Sequence, residues 1–391
     1  MMRIAYVCTD PGVPVFGSKG CSIHVQEVVR ALGRRGFDVE LHVARVGGDP
    51  PASLASVPIV RLPRHRGDDP RQRELAAIEA NAALTRSLAS RPAYDLVYER
   101  HSLWSSAAME FARATGTPGV LEVNAPLVEE QAIHRSLLHR ELAQAAVEQA
   151  CGAASLLIAV SDGVATHLRR MGGAPGRVHV VPNGVDPARF PPRPARRNEA
   201  FTIGFVGSLK SWHGLPIAVD AFARLHRRRP ESRLLVVGEG PERESLTKAL
   251  AEVGLSSSVR LTGAVRAAEV PRWLESMDVG VAPYAKAEGF YFSPLKIFEY
   301  MAAGLPVVAS RIGQIPEIVD DGCNGLLCTP GDPKDLAAAL DRLAADSDLR
   351  DRLGRNARDT ALHKHTWDAV VGTILKLADM VPSFPMRAGS G

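Results

Sequence analysis

Hydrophobic positions along this chain follow two alternating rhythms. Short apolar runs with β character occupy residues 3–8, 39–43, 96–98, 119–123 and 156–160. Between them the apolar positions take helical spacing. Val25, Val28, Val29 and Leu32 form an i, i+3, i+4, i+7 stripe closed by Gly36, which predicts a helix. Similar patterns lie at about 74–90, 103–114 and 129–150. A second series follows the turn-rich segment Pro182-Asn183-Gly184-Val185-Asp186 and a Pro/Arg-rich stretch at 191–197. Its strand candidates are 201–206, 234–237, 259–261, 279–282 and 307–309, again with helices between them. Short apolar strands alternating with helices predict parallel sheets covered on both faces. The expected fold is therefore α/β, with two halves joined near residues 182–198 and facing each other across a cleft. Ligands of such sheets bind beyond the carboxyl ends of the strands.

Bulk properties narrow the function. At 391 residues the chain suits two domains of about 150–200 residues each. A formal net charge of +4 is small for that length, and no nucleic-acid-binding motif is visible, so no nucleic-acid partner is expected. Cys8, Cys21, Cys151, Cys323 and Cys328 are scattered, odd in number and never spaced as CxxC. Neither a zinc site nor a disulfide framework is indicated. With no signal-peptide pattern near Met1 and no run of 18 apolar residues, a reducing cytosol is the expected compartment. The Ala-, Arg- and Gly-rich composition suggests a bacterial source. Residues 382–391 are rich in Pro, Ser and Gly and read as a disordered tail. Arg34, Arg35, Arg64, His65, Arg66, His134, Arg135, His139 and Arg140 cluster in the first half, with Leu137 and Leu138 beside them. They read as a peripheral membrane contact or, in better accord with the charge pattern, as a solvated helix face.

The segment YFSPLKIFEYMAAG, residues 291–304, carries the sharpest chemical signal. Ser293 suits an N-cap and Pro294 the first helical position, while Leu295, Phe298, Met301 and Ala302 share one face and Gly304 ends the helix. Lys296 then falls in the first turn, where the helix dipole already presents positive charge. A lysine beside free backbone N–H groups makes an anion site, most naturally for phosphate. Glu299 lies on the same face and could accept hydrogen bonds from sugar hydroxyls. A surface Lys–Glu pair explains these residues equally well.

Loops at other strand ends add to this. Gly17-Ser18-Lys19-Gly20-Cys21-Ser22 precedes a helix, yet fits neither GxGxxG nor GxxxxGK[ST], which argues against nicotinamide and P-loop chemistry. Gly207-Ser208-Leu209-Lys210-Ser211-Trp212-His213-Gly214 offers Lys210 as a phosphate partner and His213 as a hydrogen-bonding group. Gly238-Glu239-Gly240-Pro241 opens a flat surface, and Gly263 and Val265 are placed to meet a base edge. Each of these loops could equally be plain surface. Their concentration in the second half marks it as the nucleotide-binding domain. The first half offers Glu99, Arg100, His101, Glu122 and Asn124 at strand ends, and His24 after the glycine loop. Glu122 reads as a structural acid paired with Arg100 or as a cleft residue, Asn124 as a cleft residue, and His24 as either cleft or packing.

The chain resembles the family 4 retaining glycosyltransferases. The resemblance spans nearly all of it and rests on GSKGCSIHV, VPNGVDPARF, FVGSLKSWHG, VVGEGPER, and FEYMAAGLPVVAS followed by GQIPEIV. It implies the GT-B architecture, two Rossmann-like domains around a cleft: residues 1–182 on the acceptor side, 183–365 for the nucleotide sugar, and a final helix, 366–381 with Trp367, crossing back. It implies a nucleotide-sugar donor, a hydroxyl acceptor, no metal or other cofactor, and a front-face route in which the departing phosphate oxygen helps deprotonate the acceptor. Glu299 matches the second glutamate of the family's E-x7-E motif, which holds the ribose. The first glutamate, which contacts the donor sugar, is replaced by Tyr291, with Glu288 nearby. Ser208 and His213 stand where the family has phosphate-binding arginine and lysine, and Asn124 where many members have a histidine. Lys210, Lys296, the helix start at Ser293, Pro294 and Leu295, and the Gly17–Gly20 backbone are then the expected diphosphate contacts, with Gly238, Gly240 and Val265 beside the nucleotide. His24, His101 and Glu122 fall on the acceptor side. A nucleotide-sugar epimerase of the same fold and a non-enzymatic two-domain sugar-binding protein are the alternatives.

Overall fold

The computed structural model describes residues 1–63, 67–191, 200–287 and 289–380. Arg64, His65, Arg66, Glu288 and the tail expected to be disordered at 382–391 lie outside the described residues, as does most of the Pro/Arg-rich stretch.

The first half is a seven-stranded parallel sheet. Its strands are β1 (Arg3–Cys8), β2 (Asp38–Val43), β3 (Ile59–Arg61), β4 (Leu96–Arg100), β5 (Gly119–Val123), β6 (Leu156–Ala159) and β7 (Val178–Val180). They lie in the order β3-β2-β1-β4-β5-β6-β7. The second half contains β8 (Thr202–Val206), β9 (Arg233–Val237), β10 (Val259–Leu261), β11 (Val279–Ala282), β12 (Val307–Ser310) and β13 (Gly325–Cys328), ordered β10-β9-β8-β11-β12-β13. All strand pairs are parallel, as continuous apolar runs joined by helices require. In both sheets the chain reverses direction beside the first strand. That switch point lies between β1 and β4 and between β8 and β11, and it opens a crevice at the strand ends.

Three strands, β3, β7 and β13, are absent from the hydrophobic reading. β3 and β7 are edge strands of only three residues each. The single helix expected over 129–150 is two, Leu127–His134 and Arg140–Ala153. The break is held by Glu74, whose carboxylate accepts from the backbone N–H groups of Leu138 at 3.0 Å and His139 at 2.8 Å.

Apolar side chains cover both faces of each sheet. The final helix, Trp367–Leu377, packs in the first half's core beside Val25, Val28 and Leu32. The two crossing segments meet each other: Val185 N–H donates to His365 O at 2.8 Å and Trp367 N–H to Val185 O at 3.1 Å. Among the described residues no helix is long and apolar enough to cross a membrane.

Candidate active site

The site is built where the second half's loops meet the first half. Gly207 ends β8 with φ +142°, a conformation that favours glycine. Gly238, also at +142°, ends β9, and a Cβ there would stand 2.0 Å from Gly207 O. Gly240 likewise abuts Leu209, whose N–H donates to Glu239 O at 3.1 Å. The Gly238–Gly240 turn therefore braces the 207–214 loop back to back instead of presenting an open face.

Within that loop, His213 Nδ1–H donates to Ser208 O. Burial, reinforced by Lys296, pushes the ring down to about 3, so it is neutral with Nε2 left as acceptor. Ser208 itself is exposed, and Lys210 Nζ lies 5.7 Å from the Trp212 ring centroid. Val265 is half-buried against the second half's core.

Lys296 converges on the same point from the helix Leu295–Ala302. Its side chain is buried, and Nζ sits 3.9 Å from the Phe205 ring centroid. A Cβ on Gly207 would come within 3.2 Å of Nζ, so glycine at 207 makes room for the ammonium. Nζ has no hydrogen-bond partner among the described residues, and burial lowers it to about 7. Glu299 does not neutralise it. That carboxylate pairs with Arg189 at 3.7 Å, which sets aside the surface Lys–Glu pair. Burial pushes Glu299 upward, opposed first by Arg189.

Ser293 corrects one expectation. Pro294 occupies the N-cap, and no side chain caps the helix. Ser293 Oγ accepts instead from Asn183 N–H at 3.1 Å, and Ser293 O accepts from Asn183 Nδ2 at 2.9 Å. The helix start is thus tied to the domain junction and keeps its own N–H groups free of a side-chain acceptor. Across the cleft, the helix Gly20–Arg34 begins at Gly20, where a Cβ would lie 3.4 Å from Leu295 Cδ1. Gly17 packs on Ser22 and Pro14. Two uncapped helix N-termini, one from each half, therefore approach each other beside Lys296.

On the first half, His24 and Glu122 are both 2% exposed and bonded to each other, Nε2 to Oε1, at 2.7 Å. Tyr98 donates to the other Glu122 oxygen at 2.7 Å. Burial would raise the Glu122 carboxyl, but His24, Tyr98 and Arg100 together hold it below its ordinary value. Its direct partners are His24 and Tyr98, not Arg100 as the sequence suggested. His101 and Asn124 stand just past the ends of the neighbouring strands β4 and β5. Both His101 ring nitrogens and Asn124 Nδ2 are unpartnered among the described residues, and burial lowers His101 to about 3.

Tyr291 does not enter the loop cluster. Its carbonyl accepts from Ser161 Oγ at 2.6 Å and its ring packs on the first half's core with Leu103 and Trp104. The position of the family's sugar-reading glutamate is thus taken by a domain contact. Sequence reasoning missed Asn183, Gln314 and Arg189, although all three stand in the quoted segments VPNGVDPARF and GQIPEIV. Gln314 Nε2 donates to Val160 O at 3.0 Å, and Asn183 Oδ1 and Gln314 Oε1 are buried without partners among the described residues. Unpaired buried polar atoms each cost about 1–3 kcal/mol, which a polar ligand or water reaching them would relieve. No cluster of three or more His, Cys, Asp or Glu among the described residues is arranged to hold a metal.

Comparison with known proteins decides the family. The family model for Glycosyltransferase Family 4 matches residues 18–189 and that for Glycosyl transferases group 1 matches 200–346. The chain is 30% identical to the MMP alpha-(1->4)-mannosyltransferase of Mycolicibacterium hassiacum, covering 90% of this chain and 92% of that one. This chain belongs to glycosyltransferase family 4. Another family 4 relative, the D-inositol 3-phosphate glycosyltransferase of Stackebrandtia nassauensis, is 29% identical over 90% of this chain and 86% of its own. Both relatives are bacterial. Among solved structures, sucrose-phosphate synthase from Thermosynechococcus elongatus superposes with a TM-score of 0.77 at 20% identity, covering 97% of this chain and 99% of that one. Anabaena HepE in complex with UDP and glucose superposes with a TM-score of 0.73 at 20% identity, covering 97% and 100%. These establish the GT-B fold, and the family establishes a glycosyltransferase.

Proposed function

We propose that this glycosyltransferase moves a sugar from a nucleoside diphosphate donor to a hydroxyl acceptor, with retained anomeric configuration and without a metal. The observation that carries the reading is Lys296. A buried lysine with no hydrogen-bond partner among the described residues, beside a glycine loop and an uncapped helix, gives up its proton readily unless an anion completes it. The donor diphosphate supplies that anion. Binding raises the lysine back toward its charged form, and the charge that develops on the leaving diphosphate is met by Lys296, Lys210 and the two helix N-termini. These fixed cations take over the charge compensation that a metal supplies elsewhere. Ser208 and His213 replace the family's arginine and lysine, and Lys296 reaches the vacated position from a different element. Glu299 accepts hydrogen bonds from the ribose hydroxyls. His101 and Asn124 receive the acceptor, whose hydroxyl proton passes to the departing phosphate oxygen on the front face.

HepE, of the same fold, was solved with UDP and with UDP-glucose, which supports a nucleotide donor here. The test is a thermal-shift screen with UDP-, GDP-, ADP- and dTDP-sugars. A ligand at a hundred times its Kd stabilises by about 2.7 kcal/mol. Lys296→Ala should keep the fold, abolish that stabilisation and lower turnover by a factor on the order of 10²–10³. Absence of a shift with every nucleotide sugar would remove the reading.

A further inference from the structure

Arg189 is the penultimate residue of the segment VPNGVDPARF, and the reaction as proposed gives it no task. The structure places it at the point where both halves and the Lys296 helix meet. Its Nη1 lies 3.8 Å from Glu27 Oε1 of the helix Gly20–Arg34 and 3.7 Å from Glu299 Oε1. Its Nη2 donates to Ala267 O at 3.2 Å. Glu27 is 2% exposed and held from its other side by Arg30 at 2.7 Å. One guanidinium thus stands between two carboxylates from different halves. Both separations to the carboxylates exceed hydrogen-bond length. Among the described residues Glu299 accepts no hydrogen bond, so its lone pairs remain available while its charge is balanced.

We infer that Arg189 is the positioning residue for Glu299. It holds that carboxylate ionised and aimed at the nucleotide ribose, and through Glu27 it makes this alignment depend on the two halves being together. The physical requirement is plain. Two carboxylates facing each other in a poorly solvated junction repel, and without the guanidinium one of them must rotate away or take up a proton. A protonated or displaced Glu299 no longer accepts from both hydroxyls of a ribose diol. Arg suits the task better than Lys because its planar fork reaches both carboxylates and the Ala267 carbonyl at once.

The inference rests on the nucleotide-donor reading of the site, and one experiment separates the two. Calorimetry would compare a ribonucleoside diphosphate, with UDP tried first and GDP and ADP for base choice, against its 2′,3′-dideoxy counterpart. In the wild type the ribose form should bind about tenfold tighter or more, as expected for hydrogen bonds to a charged group. In Arg189→Ala that preference should collapse toward unity while dideoxynucleotide binding stays near its wild-type value. Arg189→Gln, read the same way, covers the case in which the alanine variant is unfolded by circular dichroism. A variant that keeps the full ribose preference overturns the inference, even if both affinities fall together, because an equal loss is what a merely structural residue would produce. A wild type that binds none of these diphosphates overturns the donor reading itself.

Discussion

Lys296 stands at a helix start that already carries the positive end of a dipole, inside a pocket walled by Phe205 and Tyr284. The dipole and the burial oppose its charge, and the ring faces offset only part of that. Its ordinary value is 10.5 and the folded one about 7, so the native state sheds the proton first. Between those pH values the unfolded chain holds a proton that the native protein lacks, and stability rises with pH across the window. Below about pH 7 the full cost of the buried ammonium remains. Lys296→Met should therefore be more stable than the wild type in urea titrations at pH 6.5, with the gap narrowing toward pH 10. A less stable variant at pH 6.5 would show that the lysine has a partner in the free enzyme. This residue was legible because a cation in a first turn breaks a local rule. Ser293 obeyed a local rule and misled, since its hydroxyl serves Asn183, 110 residues away. Glu122 likewise found His24 at a separation of 98 residues, which no local pattern reports.

At the scale of elements, the loops beside Lys296 are a pair at the ends of β8 and β9. Gly207 and Gly238 share an unusual φ and touch backbone to backbone, so neither loop keeps its shape without the other. Gly238→Ala should cost about 2–3 kcal/mol in chemical denaturation and weaken nucleoside diphosphate binding as well. Stability and affinity both near wild type would show that the loops adjust freely. The glycines were visible in the sequence, but their purpose was not. They read as an open surface for ligand, and the structure spends them on a contact between two loops. Alternation of apolar runs and helices carried most of the strands, the three-residue β10 included, while the equally short edge strands β3 and β7 escaped. The break between Leu127–His134 and Arg140–Ala153 was hidden because its cause is the carboxylate of Glu74, on a different helix.

For the whole molecule, the two halves are held by segments that cross between them. The last helix docks through Trp367, which is 2% exposed and edge-on to His24 at 5.1 Å. Trp367→Ala should cost about 3–5 kcal/mol and lower the Tm, read by calorimetry. A change below about 1 kcal/mol would mean that this helix contributes little to holding the molecule together. Acid should act on the molecule as well. His42, His101 and His213 are held neutral, lowered chiefly by desolvation to about 4, 3 and 3. The unfolded chain protonates them near 6.5, so stability should fall as pH drops from about 6.5 toward 3, which denaturant titrations at stepped pH would register. The α/β class, the two halves and the helix that carries Lys296 in its first turn were all readable from the chain, because hydrophobic period, turn residues and dipole rules act over a few neighbours. The pairing of Glu122 with His24, the bracing of one glycine loop by another, the turning of Tyr291 toward the opposite half and the arrival of Lys296 beside Gly207 were not. Each joins residues far apart in sequence, and what selects it is the packing and charge balance of the folded cleft.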